Sequence, residues 1–265
     1  MRVYPLIERL FGLLIMTHQI AWRSKTAMTE RPVIGLLMDY QETGDFSSRP
    51  SYALRCSYFE AVWHAGGLPM AIPYLDEAWN GYLEYCQGLI LPGGFYPFPA
   101  SLYGEAPITD EPIHPRYAFE RELAQRSLDM DKPTLGICAG MQVIATTMGA
   151  TMYRDVRSEL PTIIDHLNER PAEEPAHDIT IKEGTQLHKV LGTVALQVNT
   201  AHKEALKTLP DTLTISARAE DGVIEGVEVP SRRFFLGVQW HPELFAATSG
   251  PHRKLFDALV SAARA

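Results

Sequence analysis

The 265-residue chain is poor in cysteine: Cys56, Cys86 and Cys138 are odd in number and contain no CxxC pair. That excludes a disulfide framework, gives no sign of a zinc-thiolate cluster, and fits a reducing cytoplasm. Long hydrophobic runs are also missing. Leu10 to Met16 (LFGLLIM) is apolar for only seven residues, too short to span a bilayer, and no convincing small-residue cleavage site accompanies it. Positive charge is in deficit, with 24 Lys and Arg against 32 Asp and Glu, and the resulting formal charge of -8 opposes attraction to phosphate backbones and anionic membranes. Glycine and proline, 19 each, are too sparse for collagen or a disordered tract, and no repeat or low-complexity linker interrupts the chain. What remains is a globular protein, 46% hydrophobic, whose length suits one large α/β domain.

From residue 32 onward, short apolar runs alternate with segments of helical period, the pattern of strands joined by crossover helices into a parallel sheet. Val33 to Met38 reads as the first strand, and Leu54, Tyr58, Ala61, Val62 and Ala65 recur at the spacing of one helix face. Gly66-Gly67 then stops that helix before a strand from Leu68 to Pro73, completing a βαβ unit. Gly88 to Gly94 and Thr134 to Ile137 read as further strands, and Met141, Ile144, Ala145 and Met148 return to helical spacing. The second half is richer in β-prone runs, at 179–181, 213–217, 223–229 and 234–239, with an Asp221-Gly222 turn between two of them. An antiparallel or mixed extension of the sheet is therefore expected, closed by a helix bearing Leu255, Phe256, Leu259 and Val260.

Chemistry concentrates at the strand-to-helix turn Gly136-Ile-Cys-Ala-Gly140, where small flanking residues allow a sharp bend that exposes the central side chain. A thiol at a helix N-terminus meets the positive end of the dipole and free N–H groups, which favour thiolate and can also hold an oxyanion. Taken alone, Cys138 reads equally well as a small core residue. Gln239-Trp-His-Pro-Glu243 changes that balance, because it sets a histidine and a carboxylate two residues apart directly after a strand. Strand C-terminal ends share one sheet edge, where α/β proteins bind ligands. A thiol, an imidazole base and an orienting carboxylate are the parts needed for acyl transfer through a thioester.

LPGG (91–94), GICAGMQ (136–142) and GVQWHPE (237–243), in that order, resemble the class I glutamine amidotransferase superfamily. LYGE (102–105), GATMYRDV (149–156), VNTAH (198–202) and EDGVIEGVE (220–228) are most similar to its free-standing gamma-glutamyl-gamma-aminobutyrate hydrolase family. The resemblance covers residues 32 to 260. It implies a flavodoxin-like three-layer α/β sandwich, with a mostly parallel central sheet and an antiparallel extension in the C-terminal half. It further implies a Cys138, His241, Glu243 triad, a glutamyl-thioester intermediate, and no metal or organic cofactor. By motif, Gly94 and the Ala139 N–H would form the oxyanion hole, Gln142 would contact the glutamyl group, and Asn199 and His202 would lie beside the substrate. The partner implied is a small-molecule gamma-glutamyl amide, with no nucleic acid or membrane, and a homodimer left open. Two departures stand out: Ala139 occupies a position where many members have Arg, and GGFYPFP replaces an acidic GGxD loop. Both bear on the amine side of the substrate. Phe95, Tyr96, Phe98 and Tyr103 are expected at the pocket mouth, in a loop (95–107) long enough to be a lid.

The leading reading is hydrolysis of a gamma-glutamyl amide. A glutaminase subunit serving a separate synthase is the enzymatic alternative, and a noncatalytic sensor of gamma-glutamyl ligands is the reading from another class. Residues 1–31 read as an N-terminal extension and 32–265 as the hydrolase domain. Met28 stands just before the first strand, and no apolar periodicity runs from His18 to Glu30. A chain begun at Met28 should therefore fold and keep its activity; insolubility or inactivity of that truncation would mean that residues 1–27 pack against the domain.

Overall fold

A computed structural model describes residues 31–44, 48–106, 108, 110–246 and 250–265. The extension expected over residues 1–31 lies outside them except for Arg31, whose guanidinium stacks on the Trp63 ring at 3.8 Å and donates to the Trp63 carbonyl. In chain order the first half runs β1 (Val33–Leu37), β2 (Asp39–Gln41), β3 (Ser51–Ala53), α1 (Cys56–His64), β4 (Leu68–Ile72), α2 (Trp79–Tyr85), β5 (Gly88–Leu91), α3 (Pro115–Asp129), β6 (Thr134–Ile137) and α4 (Ala139–Thr147). The second half runs β7 (Thr151–Tyr153), α5 (Val156–Glu159), β8 (His177–Ile181), α6 (Gln186–Leu191), β9 (Ala195–Val198), β10 (Ala205–Thr208), β11 (Thr214–Ala219), β12 (Ile224–Glu228), β13 (Phe235–Val238) and α7 (Pro251–Ala262).

Nine strands form one sheet in the order β4-β1-β5-β6-β13-β12-β11-β8-β9. The pairs from β4 to β13 are parallel, and those from β13 to β9 are antiparallel. Buried side chains alternate across the central strands, which is why these read as continuous apolar runs. Leu36, Ile90, Leu135 and Ile137 join one core cluster with α1, α6 and α7. Leu37, Leu89 and Leu91 face the opposite cluster with α2, α3 and α4. Each such fully buried side chain contributes about 1.5–3 kcal/mol relative to its exposed state, so helices on both faces follow from the sequence of the strands.

The expected βαβ unit is β1-α1-β4, and the Asp221-Gly222 turn joins β11 to β12. Among the elements the sequence pattern passed over are the β2-β3 hairpin and the β7-β10 ribbon, three- and four-residue strands too short to carry a period. Helix α1 ends in a Schellman arrangement. Gly67 N–H donates to the Val62 carbonyl and Gly66 N–H to that of Trp63, with Gly66 at φ 87°. Gly66→Ala should cost about 1–2 kcal/mol and lower Tm by roughly 2–8 °C without changing thiol reactivity at Cys138. An unchanged melting curve would mean the turn adapts freely.

Candidate active site

The sharp bend after β6 falls on Cys138 itself, at φ 52° and ψ −110°. Its N–H still donates to the Val238 carbonyl at 2.8 Å, extending the β6-β13 ladder by one residue, while its carbonyl accepts from Gln142 N–H to open α4. A Cβ on Gly136 would lie 2.7 Å from the Gly140 backbone, and one on Gly140 would collide with the Leu91 carbonyl. Only glycine fits at either position. Positive φ in a non-glycine residue stores roughly 1–3 kcal/mol and persists where the surroundings over-determine it.

His241 follows β13 by three residues and is gripped through its backbone. Its N–H donates to Asn199 Oδ1 at 2.8 Å, and Asn199 Nδ2 donates back to its carbonyl at 3.2 Å. Pro242 then starts a short 3₁₀ turn, Pro242–Leu244, which brings Glu243 Oε1 to 2.7 Å from His241 Nδ1. A carboxylate only accepts, so Nδ1 carries the proton and Nε2 is left for the thiol. Burial alone would lower the imidazole pKa; the Glu243 charge, and after it Cys138, more than offset burial and raise it to about 10. Tyr58 stays a neutral phenol, pushed up by burial and then by the Glu243 carboxylate, and its oxygen accepts the Gly93 N–H at 2.9 Å.

Behind the LPGG loop lies a fully buried cation that sequence reading missed. Arg116 pairs with Asp39 at 2.6 Å and Glu120 at 3.0 Å, and donates to the carbonyls of Pro92 at 2.6 Å and Gly93 at 3.1 Å. Peptide units are trans and planar, so a Gly93 carbonyl turned toward Arg116 turns the Gly94 N–H away from it. A cation in the first turn of α3, where the helix dipole disfavours it, was the available signal.

Cys138, His241, Tyr58, Gly93 and Gly94 border one cleft of about 530 Å³, joined by Asp39, Arg55 and Phe95. Of the sequence-expected residues, Gly94 lines this cleft and Ala139 is the first residue of the helix beside it. Gln142 is buried behind the site, its amide donating to the Glu204 carbonyl and Gln239 Oε1. Asn199 holds the backbone of His241, and His202 lines a neighbouring cavity with His166. The aromatic loop differs from expectation. Tyr96 and Phe98 are buried and stacked together at 5.1 Å, with the Tyr96 hydroxyl donating to Glu120 at 2.7 Å. Tyr103 bonds to Glu204. Of the four rings, only Phe95, 70% exposed, borders the cleft. Buried Glu120 and Arg116 supply the polar partners that draw Tyr96 inward.

The peptidase C26 family profile matches residues 32–243. The chain belongs to this family. It is similar to the gamma-glutamyl-gamma-aminobutyrate hydrolase PuuD of Escherichia coli K12, at 30% identity over 87% of this chain and 93% of that protein. It is 31% identical to protein NtpR of Enterococcus hirae, over 86% of this chain and 98% of that one. The fold matches the glutaminase domain of Trypanosoma brucei CTPS with bound acivicin, at a TM-score of 0.60, 20% identity, and coverage of 88% and 93%. The protein is thus a glutamine amidotransferase-like hydrolase of the cysteine type. Among the described residues, no helix is long and apolar enough to cross a membrane.

The pairing of Glu243 with His241 carries a pH signature. Removing the charge with Glu243→Gln lowers the imidazole pKa, so the alkaline limb of a kcat/KM profile should move to lower pH, with kcat/KM down by on the order of 10²–10⁴-fold. A profile that keeps its alkaline limb would show that this carboxylate does not set the charge of His241.

Proposed function

We propose that the protein hydrolyses a gamma-glutamyl amide to glutamate and free amine through a thioester on Cys138. The observation that carries this reading is the convergence of three groups at one cleft: a nucleophile at a strained strand-to-helix turn, an imidazole beside it, and a carboxylate 2.7 Å behind that imidazole. Cys138 Sγ, having given its proton to His241 Nε2, attacks the side-chain carbonyl carbon. The N–H groups of Gly94 and Ala139 hold the oxyanion, since the first belongs to a peptide turned by Arg116 and the second is an unsatisfied donor at a helix start. His241 passes its Nε2 proton to the departing nitrogen as the C–N bond breaks. Water, deprotonated by the now neutral His241, then attacks the thioester, the C–S bond breaks, and the proton returns.

The substrate class rests on the cleft walls. Arg55 and Asp39 offer one charge of each sign, which suits the α-carboxylate and α-ammonium of a glutamyl group. A volume of about 530 Å³ accommodates that group and a small amine. Gamma-glutamyl-gamma-aminobutyrate, named for the relative PuuD, is a substrate to test first. Of the other two thiols in the domain, Cys56 is exposed at the start of α1 and does not line the cleft, and Cys86 is buried in the core and pushed up to about 11 by burial, so neither competes as the nucleophile.

The isolated chain, without nucleotide or partner, should cleave at least one member of a panel of gamma-glutamyl amines and glutamine at a steady rate, followed by mass spectrometry. Cys138→Ser should remove that turnover while leaving the melting curve intact. Turnover that appears only with a synthase and ATP, or that survives in Cys138→Ser at half its original rate, would overturn the reading.

A further inference from the structure

A second cluster of titratable side chains stands apart from the catalytic cysteine: ligand atoms of His166, His177 and Glu225 lie within 4.8 Å of one another, and His202 approaches Glu225 beside them. Glu225, on β12, is fully buried, and neither carboxylate oxygen has a hydrogen-bond partner. Around its Oε1 stand His202 Nε2 at 3.5 Å, His177 Nε2 at 3.7 Å and His166 Nδ1 at 3.7 Å. The Nε2 atoms of His177 and His202 also lack partners. These separations are too long for hydrogen bonds. They are close to the edge of a tetrahedron of ligands around Zn²⁺, which bond lengths of about 2.0–2.2 Å place at roughly 3.3–3.6 Å.

The outer contacts point the same way. His202 Nδ1 lies 2.9 Å from the Glu204 carbonyl, His177 Nδ1 3.2 Å from that of Asp178, and His166 Nε2 2.9 Å from Asp221 Oδ2. Each ring thus has one nitrogen engaged by an oxygen acceptor and the other turned toward Glu225, as metal-bound histidines require, with Thr200 Oγ1 3.5 Å from the inward His166 Nδ1. An adjoining cavity of about 190 Å³, lined in part by His166 and His202, gives a path from the surface.

We propose that His166, His177 and Glu225 form the core of a structural site for one tetrahedral divalent transition-metal ion, completed by a small turn of the neighbouring His202 ring, with Zn²⁺ as the ion that three imidazoles and a carboxylate favour. Its role is positional. The ion ties the loop carrying His166 and the Asn199–His202 stretch to β12, where Glu225 also accepts Gln239 N–H at 2.9 Å through its carbonyl. Asn199 and Gln239 both flank the backbone of His241, so the ion braces the strand end that presents the imidazole. The residues lie at 166, 177, 202 and 225, a spacing with no short metal motif.

The test uses the full chain, purified in chelator, desalted and titrated with Zn²⁺, with bound metal measured by mass spectrometry after gel filtration. One retained equivalent, a raised Tm, and the intense visible bands of a tetrahedral ion on Co²⁺ substitution are expected. His177→Ala and Glu225→Gln should each weaken retention at least ~100-fold, while Cys138→Ser should keep the full equivalent. If the ligand variants do not fold, Asp221→Asn, which keeps the side-chain size and replaces the carboxylate facing His166 and Thr162 with an amide, should weaken affinity by roughly 10–100-fold. The proposal fails if the wild-type chain retains no Zn²⁺. It fails equally if folded ligand variants, or Asp221→Asn in their place, bind as tightly as wild type, or if Cys138→Ser abolishes retention, which would put the ion on the catalytic thiol.

Discussion

The site depends on how closely α4 lies on the sheet. Three glycines set that distance: Gly136 and Gly140 at the bend, and Gly237 on β13, where a Cβ would stand 2.6 Å from the Met141 side chain. With all three in place, α4 begins one residue after β6 ends, and Cys138 has to take the positive φ that joins them. The strain there is the cost of bringing a helix N-terminus, with its unsatisfied N–H groups and positive dipole end, onto a sulfur at the C-terminal edge of the sheet. A looser approach would relieve the backbone and remove the donors together. Placement of the sulfur at the helix N-terminus and distortion of the turn are therefore one constraint.

A second constraint works from below the cleft. A buried guanidinium is costly unless its donors are met, and Arg116 meets them with two carboxylates and two backbone carbonyls. Those carbonyls belong to Pro92 and Gly93, so the charge that needs them also orients the glycine loop. Tyr58 grips the same loop through the Gly93 N–H, on the opposite edge of the peptide whose carbonyl faces Arg116. A Cβ at Gly94 would collide with the guanidinium, which accounts for the second glycine of the pair. The glycine loop at the cleft is thus held by ionic contacts from below and a phenolic contact from Tyr58.

Sequence alone disclosed what is local. GICAG and QWHPE are short, each follows a strand, and the strand periods place both on one sheet edge, so Cys138, His241 and Glu243 were legible before any coordinates. The parallel half of the sheet was legible for the same reason, since its strands are continuous apolar runs. Contacts made by convergence were not. Arg116 meets Asp39 and Pro92 across 77 and 24 positions, respectively, and nothing in the neighbourhood of any one of them announces the others. Tyr58 was read correctly as part of a buried helix face, yet its hydroxyl at the far end of an apolar ring serves the site. The loop aromatics were misplaced because an exposed-looking, proline-rich stretch carries no sign of the buried Glu120 that captures Tyr96. His202 was noticed for its segment, but its partners come from a loop, from β8 and from β12.

The relative placement of thiol and imidazole reduces to one strand register. Cys138 comes from the parallel half of the sheet and His241 from a strand that also belongs to the antiparallel half; β6 and β13 are the seam between them. Their pairing runs from Thr134 opposite Phe235 to Ile137 opposite Val238. Cys138 therefore stands one residue beyond the last pair, bonded to the Val238 carbonyl, and His241 three residues beyond it. A slip of one residue would move every side chain of β13 to the wrong face, and because Leu236 and Phe235 are packed in opposite cores, such a slip would bury Gly237 where Leu236 or Val238 belongs. Burial on both faces thus locks the register, and the locked register sets His241 beside Cys138. The antiparallel strands beyond β13 then act on the site through the backbone, by way of Asn199 and Glu225, so the second half of the chain shapes the cleft by holding a strand end in place.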